Sequence, residues 1–434
     1  MTPAARLSAV IEVLDQIAGA AAPADQVLKA WGKAHRFAGS ADRRAIAERV
    51  YQVLRARARL AWRMGGAEGR ALVLGALAEL DGLAEPEIAA LFCGQRHGPP
   101  PLSEAERARL ATPMGAPPPE VAAGVPAFVA EALKRQFGRA WLAEAQALVQ
   151  PRAPVDLRVN ALRGPVDKAL SLLAHDRVDA ERAPLSAWGL RLPPELAADI
   201  HKTRAFTSGW VEVQDEGSQL AAFLAAARPG ETVVDYCAGG GGKTLALAME
   251  MAGEGRLVAC DVSRRRLEAI PERLERAGAA AELRRTGPEG QGTEDLDAAA
   301  DLVLVDAPCS GSGTWRRRPE GAWRLTPAGV ARLSELQGAI LSQAARLVRP
   351  GGRLVYVTCS ILAEENEAVA EGFAAADPAF RPVPVAAAAR ASPALTDAAR
   401  DRLAALADGG HTVQLTPHRT GTDGFFVALF ERSA

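Results

Sequence analysis

Val233-Val234-Asp235-Tyr236-Cys237-Ala238-Gly239-Gly240-Gly241-Gly242-Lys243-Thr244 joins an apolar run, a glycine-rich loop and the start of a helix. Glycines let the backbone approach a ligand closely, and the helix that follows offers unpaired N–H donors at its start. Two nucleotide-binding loops compete for this pattern. A P-loop needs a glycine five positions before Gly242, where Cys237 stands. A dinucleotide fingerprint is met by Gly239 and Gly241, but Thr244 holds the third place. About 20 residues further on, the next apolar run closes in Cys260-Asp261, where an acid can accept hydrogen bonds from both hydroxyls of a ribose. The competing role for Asp261 is a cap for a helix from Ser263 to Ala277. A nucleoside cofactor without phosphates suits this loop, and S-adenosylmethionine is the leading candidate.

Outward from the loop, Arg256-Leu257-Val258-Ala259, Leu302 to Val305 and Leu354 to Val357 read as strands. Helix-length stretches such as Gly217 to Ala227 and Pro327 to Leu347 separate them. Strands alternating with helices predict a doubly wound, mostly parallel sheet. A last strand within Gly424 to Phe430 is expected to form a hairpin with His411 to Leu415. Two of the strands end in cysteine: Asp306-Ala307-Pro308-Cys309-Ser310-Gly311 and Thr358-Cys359-Ser360. Thiols just past strand carboxyl ends lie where such sheets hold ligands, and thiolates are strong nucleophiles near neutral pH. A buried, space-filling role competes for each.

The 434 residues are enough for two or three domains, and 48% hydrophobic content is ample for their cores. A net charge of −1 excludes a whole-molecule polyanion field, so any RNA site must be a local patch. The five cysteines are odd in number and lack a CxxC pair, which argues against disulfides and zinc and for a reducing, cytoplasmic compartment. No signal segment or membrane-length apolar run is expected.

Residues 1 to about 95 have helical periodicity (Leu7, Val10, Ile11, Leu14, Ile17; Ile46, Val50, Val53, Leu54), with Ser40 as a plausible N-cap. Lys33, Arg36, Arg43, Arg44, Arg49, Arg55, Arg57, Arg59 and Arg63 fall between these stripes. They suit either a solvated face balanced by acids or a face for RNA phosphates. Prolines at 99–101 and 117–119 bracket a linker-like stretch, Phe128 to Val149 reads as one helix, and Val155 to about Phe206 reads as a small α+β subdomain. Arg316, Arg317, Arg318 and Arg324, interleaved with Trp315 and Trp323, make the best RNA-contact candidate in the catalytic region; a surface loop with its tryptophans in a core is the rival.

Taken together, several stretches resemble the NOL1/NOP2/sun family of RNA 5-methylcytosine methyltransferases, and within it the bacterial small-subunit ribosomal RNA methyltransferase B type. They are Gln214-Asp215-Glu216-Gly217-Ser218-Gln219, the Asp235 to Thr244 loop, Asp306 to Gly311, Arg316-Arg317-Arg318-Pro319, Trp323 to Pro327, Gly351 to Tyr356, Thr358-Cys359-Ser360 with Glu364-Glu365-Asn366-Glu367, and Gly421 to Phe426. The resemblance implies a NusB-like helical RNA-binding domain (1–140), a small α+β RNA-binding subdomain (141–210) and a Rossmann-like catalytic domain (211–434). It assigns the cofactor, S-adenosyl-L-methionine, to Cys237, Ala238, Gly239, Gly240, Gly241, Gly242 and Lys243, to Asp261 at the ribose, and to Asp306, which also adjoins the target base. Cys359 becomes the nucleophile and Cys309 its helper in product release.

Two departures stand out. The family usually has Ala-Pro where Gly239-Gly240 stand, and the acid it carries after the third strand is missing from Glu282-Leu283-Arg284-Arg285-Thr286-Gly287-Pro288. Glu289, Glu294 and Asp295 are candidate substitutes. The implied partner is RNA, ribosomal in the first place, for a monomer needing neither metal nor membrane. Rival functions are an RNA-binding ribosome-assembly factor with weak or no catalysis and a methyltransferase for small molecules.

Overall fold

The computed structural model describes residues 1–95, 97–193 and 199–434, so residues 194–198 of the expected α+β stretch lie outside it. The chain divides into two compact units, one of Met1–Pro151 with Trp315–Leu325, the other of Arg152–Thr314 with Thr326–Ala434.

The first unit is helical. Its longest helix, Ser40–Met64, buries Ile46, Val50, Val53, Leu54 and Leu60 along one face and ends at Gly65, whose φ of 75° only glycine adopts freely. That face packs with Val10, Val13 and Leu14 of helix Pro3–Gly19 and with Leu72 to Leu74 of helix Gly69–Glu79. Three local expectations change. Ser40 is the first helical residue, and Gly39 takes the N-cap place without a side-chain cap. Between the prolines a helix does form, Glu104–Ala111, on a capping box of Ser103 and Glu106. The single helix expected over Phe128–Val149 is two, Ala127–Phe137 and Trp141–Val149, parted where Gly138 takes a φ of 51°.

Most of the basic residues on the long helix hold this unit together. Arg49 pairs with Asp81, Arg59 and Arg63 with Glu79, and Arg63 also donates to the carbonyls of Arg109, Leu110 and Thr112 at the end of helix Glu104–Ala111. The tryptophan-arginine stretch joins the same fabric. Trp315 is 1% exposed and Arg316 is buried. Arg324 donates to Ile17 O at 2.8 Å, Glu320 accepts from Ala24 N–H at 3.0 Å, and the Arg57 guanidinium lies 5.3 Å from the Trp323 ring centre. Expected on the catalytic domain, this stretch packs instead with the amino-terminal helices.

The second unit holds two sheets. Strands β1 (Val155–Val159), β2 (Glu181–Arg182), β3 (Gly189–Leu192) and β4 (Val211–Val213) form an antiparallel sheet in the order β2-β3-β1-β4. Buried Glu216 accepts the N–H groups of Leu185 and Ser186 and pairs with Arg191, which also pairs with Asp156, so the Gln214–Gln219 motif locks this sheet in place. The larger sheet contains β5 (Thr232–Asp235), β6 (Arg256–Asp261), β7 (Glu282–Arg285), β8 (Ala300–Asp306), β9 (Val348–Thr358), β10 (Phe380–Pro382), β11 (Thr412–Leu415) and β12 (Phe425–Arg432). Its order is β10-β12-β9-β8-β5-β6-β7, with β11 paired to β12. The five strands from β7 to β9 in that order run parallel, and β12 is antiparallel to β9. The near-continuous apolar runs of β8 and β9 follow from burial on both sheet faces. After β5 the chain winds to β6 and β7, then returns to β8 on the other side of β5. That reversal opens a crevice at the carboxyl ends of β5 and β8.

Candidate active site

Every expected catalytic and cofactor residue projects from this carboxyl edge. Past β5, Gly239 and Gly241 take φ of 56° and 83°, and the helix Gly242–Glu250 begins immediately after. Asp261, ending β6, accepts the Gly239 N–H with Oδ2 (2.9 Å) and the Ser263 N–H with Oδ1 (2.7 Å). It therefore caps the next turn and braces the glycine loop together, and each oxygen keeps a second lone pair for a hydroxyl. Lys243 Nζ meets Asp306 Oδ2, at the end of β8, at 2.6 Å.

Asp235 is fully buried; Thr244 Oγ1 donates to its Oδ2 at 2.7 Å, while its Oδ1 has no partner. Burial, with Asp306 and Asp261 nearby, pushes its carboxyl up to about 7. Burial likewise raises Cys260 to about 12 and Cys237 well above the ordinary thiol range, so neither is a ready thiolate.

The two remaining site cysteines meet. Cys309 Sγ and Cys359 Sγ are 3.4 Å apart, and both residues are partly exposed. The contact with Cys359, and then burial, drive the Cys309 thiol well above its usual value. Their loops are pinned by backbone as well: Gly313 N–H donates to Cys359 O at 2.9 Å and Gly424 N–H to Gly313 O at 2.8 Å. A Cβ on Gly313 would stand 2.2 Å from Gly424 O, and one on Gly424 would stand 2.7 Å from Gly313 Cα, which explains the glycine at both positions.

A residue that the sequence reading quoted but gave no role lies beneath both loops. The fully buried Glu365 accepts Ser310 N–H (2.8 Å) and Gln337 Nε2 (3.0 Å) on Oε1. On Oε2 it accepts the hydroxyls of Ser310 and Ser360, both at 2.5 Å. Its only sequence signal was its place in Glu364-Glu365-Asn366-Glu367, since the three segments it joins are far apart in the chain.

A family model described as 16S rRNA methyltransferase RsmB/F matches residues 222–431, and one described as Methyltr_RsmF/B-like, ferredoxin-like domain, matches 125–198. The ribosomal RNA small subunit methyltransferase B of Pseudomonas putida is 32% identical over 310 residues, 71% of this chain and 67% of that protein. The chain belongs to this family. A probable ribosomal RNA small subunit methyltransferase B of Bacillus subtilis is 32% identical over 279 residues, 64% of this chain and 59% of that one. The match thus spans roughly three fifths to two thirds of these relatives. Among solved structures, that of PH0851 superposes with a TM-score of 0.76 at 25% identity, covering 100% of this chain and 99% of that one. A methyltransferase homolog from Pyrococcus horikoshii gives 0.58 at 27%, covering 72% and 97%.

The family's cofactor is S-adenosyl-L-methionine, and the residues present fit it. Asp235 Oδ1 is a buried polar atom without a partner at the end of β5, where the glycine loop begins. A Cβ on Gly240 or Gly242 would meet only the ends of long side chains, Arg273 at 3.4 Å and Gln214 at 3.8 Å, so no backbone crowds these two glycines from across the loop. The missing third-strand acid has no evident replacement. Asp295 pairs with Arg256 and Arg284, Glu294 accepts Gly292 N–H, and Glu289 accepts from Gln291. The residue that follows β7 is Thr286, buried, with its N–H on Asp261 O at 3.1 Å. Among the described residues there is no cluster suited to a metal ion and no helix long and apolar enough to cross a membrane.

Proposed function

We propose that this chain is an RNA cytosine-5 methyltransferase acting on small-subunit ribosomal RNA through a covalent bond between Cys359 and C6 of the target cytosine. The observation that carries this reading is the pair of sulfurs 3.4 Å apart at the ends of β8 and β9, beside the Lys243–Asp306 pair. C5 of cytosine is too weak a nucleophile to accept a methyl group unaided. Addition of the Cys359 thiolate to C6 makes C5 enamine-like. S-Adenosylmethionine, held by the glycine loop and Asp261, supplies the electrophilic methyl group. The Lys243–Asp306 pair addresses N3 of the base, where negative charge builds as the adduct forms, and provides the proton-bearing contact there.

A base then takes the C5 proton, its electron pair restores the C5=C6 bond, and the C6–S bond breaks with the pair returning to Cys359. The Cys309 thiol, favoured in its protonated form, donates to Cys359 Sγ as charge returns to that sulfur and makes it a better leaving group. The target base has to leave its stack to reach this crevice.

RNA contact is assigned first to the helical unit. Lys33, Arg36, Arg43 and Arg44 are exposed there, around Phe37, which is 71% exposed and offers a stacking face. Of the arginines first assigned to RNA, Arg318 remains exposed and Arg317 half-buried, whereas Arg316 is buried and Arg324 is engaged on Ile17 O. The test is transfer of labelled methyl from S-adenosylmethionine to ribosomal RNA, with bisulfite mapping of the product. One new 5-methylcytosine in small-subunit RNA is expected; label only on small molecules, or on no acceptor, refutes the proposal.

A further inference from the structure

Glu365 touches neither sulfur, yet its carboxylate is where the two cysteine loops are tied to each other. A carboxylate has about four lone-pair sites, and here four neutral donors use them. Two come from Ser310, next to Cys309, and one from Ser360, next to Cys359. The fourth is Gln337 Nε2, which also donates to Pro308 O at 2.9 Å, just before Cys309. Around this centre, Ser312 Oγ lies 3.0 Å from Ser360 Oγ and accepts Ile361 N–H at 3.0 Å. Tyr356 OH donates to Glu365 O at 2.6 Å, fixing the carboxylate's own backbone to β9.

A buried carboxylate met only by neutral donors is expensive to desolvate, and its loss would leave those donors unpaired. Such an arrangement makes sense where a distance must be held. We infer that Glu365 is the positioning residue of the two-cysteine centre, clamping the loop after β8 to the loop after β9 and so setting the spacing between Cys309 and Cys359. The inference deepens the function proposed above and rests on it for its catalytic meaning, but the spacing itself is open to a direct test.

Diamide oxidises two neighbouring thiols to a disulfide: the thiols give up two protons and two electrons, the S–S bond forms, and the N=N bond of the reagent becomes a hydrazine. A disulfide requires sulfurs about 2.05 Å apart, so thiols already in contact pair quickly. The full-length wild-type protein is expected to form the Cys309–Cys359 bond, identified by peptide mapping. Glu365→Ala slows that pairing by about tenfold or more, because small misplacements cost large factors in rate. In Glu365→Gln the amide oxygen keeps the N–H donors while the two serine hydroxyls rotate to accept, so pairing stays within about threefold of wild type.

Methyl transfer follows the same order, with kcat falling and the KM for S-adenosylmethionine unchanged. A folded Glu365→Ala protein that pairs its thiols at the wild-type rate overturns the inference. Should Glu365→Ala not fold, the double variant Ser310→Ala/Ser360→Ala, which strips Oε2 of both donors, decides: slower pairing supports the clamp, an unchanged rate refutes it. If the wild type methylates no RNA, the proposed function fails while the thiol measurement still decides the role of Glu365.

Discussion

The two halves of the sheet's carboxyl edge are built in opposite ways. On the side of β5 and β6, the glycine loop is held by single contacts: Asp261 on Gly239 N–H, Arg273 on Gly240 O, and Gly241 N–H on Ala238 O. On the side of β8 and β9, Glu365, Gln337, Ser312, Ser360, Asn366 and Gln414 are buried side chains hydrogen-bonded into one network. Under the proposed function, the contrast follows from what each half would have to do. A cofactor can be held by backbone N–H groups, hydroxyl acceptors and shape, which tolerate small adjustments. A thiol that makes and breaks a carbon–sulfur bond has to sit within a fraction of an ångström of its target.

The strongest attempt to break this division of labour is to remove the sulfurs. Cys359→Ala should lower methyl transfer to RNA by about a thousandfold or more, since the covalent route is gone, yet bind S-adenosylmethionine as tightly as wild type by calorimetry. Cys309→Ala should retain the first steps and accumulate a protein–RNA adduct, visible as a retarded band on a denaturing gel. Weakened cofactor binding in either variant would show that the halves are not separable. Absence of the adduct with normal turnover would reduce Cys309 to packing.

Asp235 probes the cofactor half with a smaller effect. Its carboxyl sits near 7 in the fold against 3.8 for the ordinary group, so the folded state favours the protonated form. The favourable contribution is complete below the ordinary value and is lost as pH rises through about 7. Asp235→Asn, which mimics the protonated acid and can still accept from Thr244, should therefore stabilise the protein more at pH 8 than at pH 5. The difference is about 2–3 kcal/mol, read from unfolding midpoints at the two pH values. An equal gain at both would mean that Asp235 stays ionised throughout, and its partnerless oxygen would need another account.

The same contrast explains what the sequence revealed. Strands were legible because Leu302–Val305 and Leu354–Val357 are unbroken apolar runs ending in polar residues, and the carboxyl edge follows from strand–helix alternation. Asp261 supported two readings, a ribose acceptor and a cap; the structure shows the cap on Ser263 N–H and adds a contact that no sequence pattern announces, the brace on Gly239 N–H. Glu365 was opaque because its meaning depends on Ser310, Gln337 and Ser360 converging from three segments, which no local pattern encodes. The tryptophan-arginine stretch is ambiguous for a different reason. Arginine and tryptophan can stack on bases or fill a helical interface with equal ease, and their composition is the same in both cases.

The mildest effect lies within the glycine loop, at the two positions where the family usually carries Ala-Pro. Gly239 has a φ of 56°, in the left-handed region that costs an alanine roughly 1 kcal/mol. Gly240 is outside that region, and a Cβ there would meet Arg273 Nη1 at 3.4 Å, an ordinary contact. Alanine at the two positions should thus act in opposite directions. Gly240→Ala should stabilise the protein by about 0.4–1 kcal/mol by restricting the unfolded chain, and should bind S-adenosylmethionine at least as well. Gly239→Ala should destabilise by a similar amount and weaken binding, because the strained loop no longer presents its N–H to Asp261. Thermal unfolding with and without cofactor separates the two. If both substitutions tighten binding, the loop adopts the family's usual backbone once the ligand is in place, and the left-handed Gly239 is no requirement of binding.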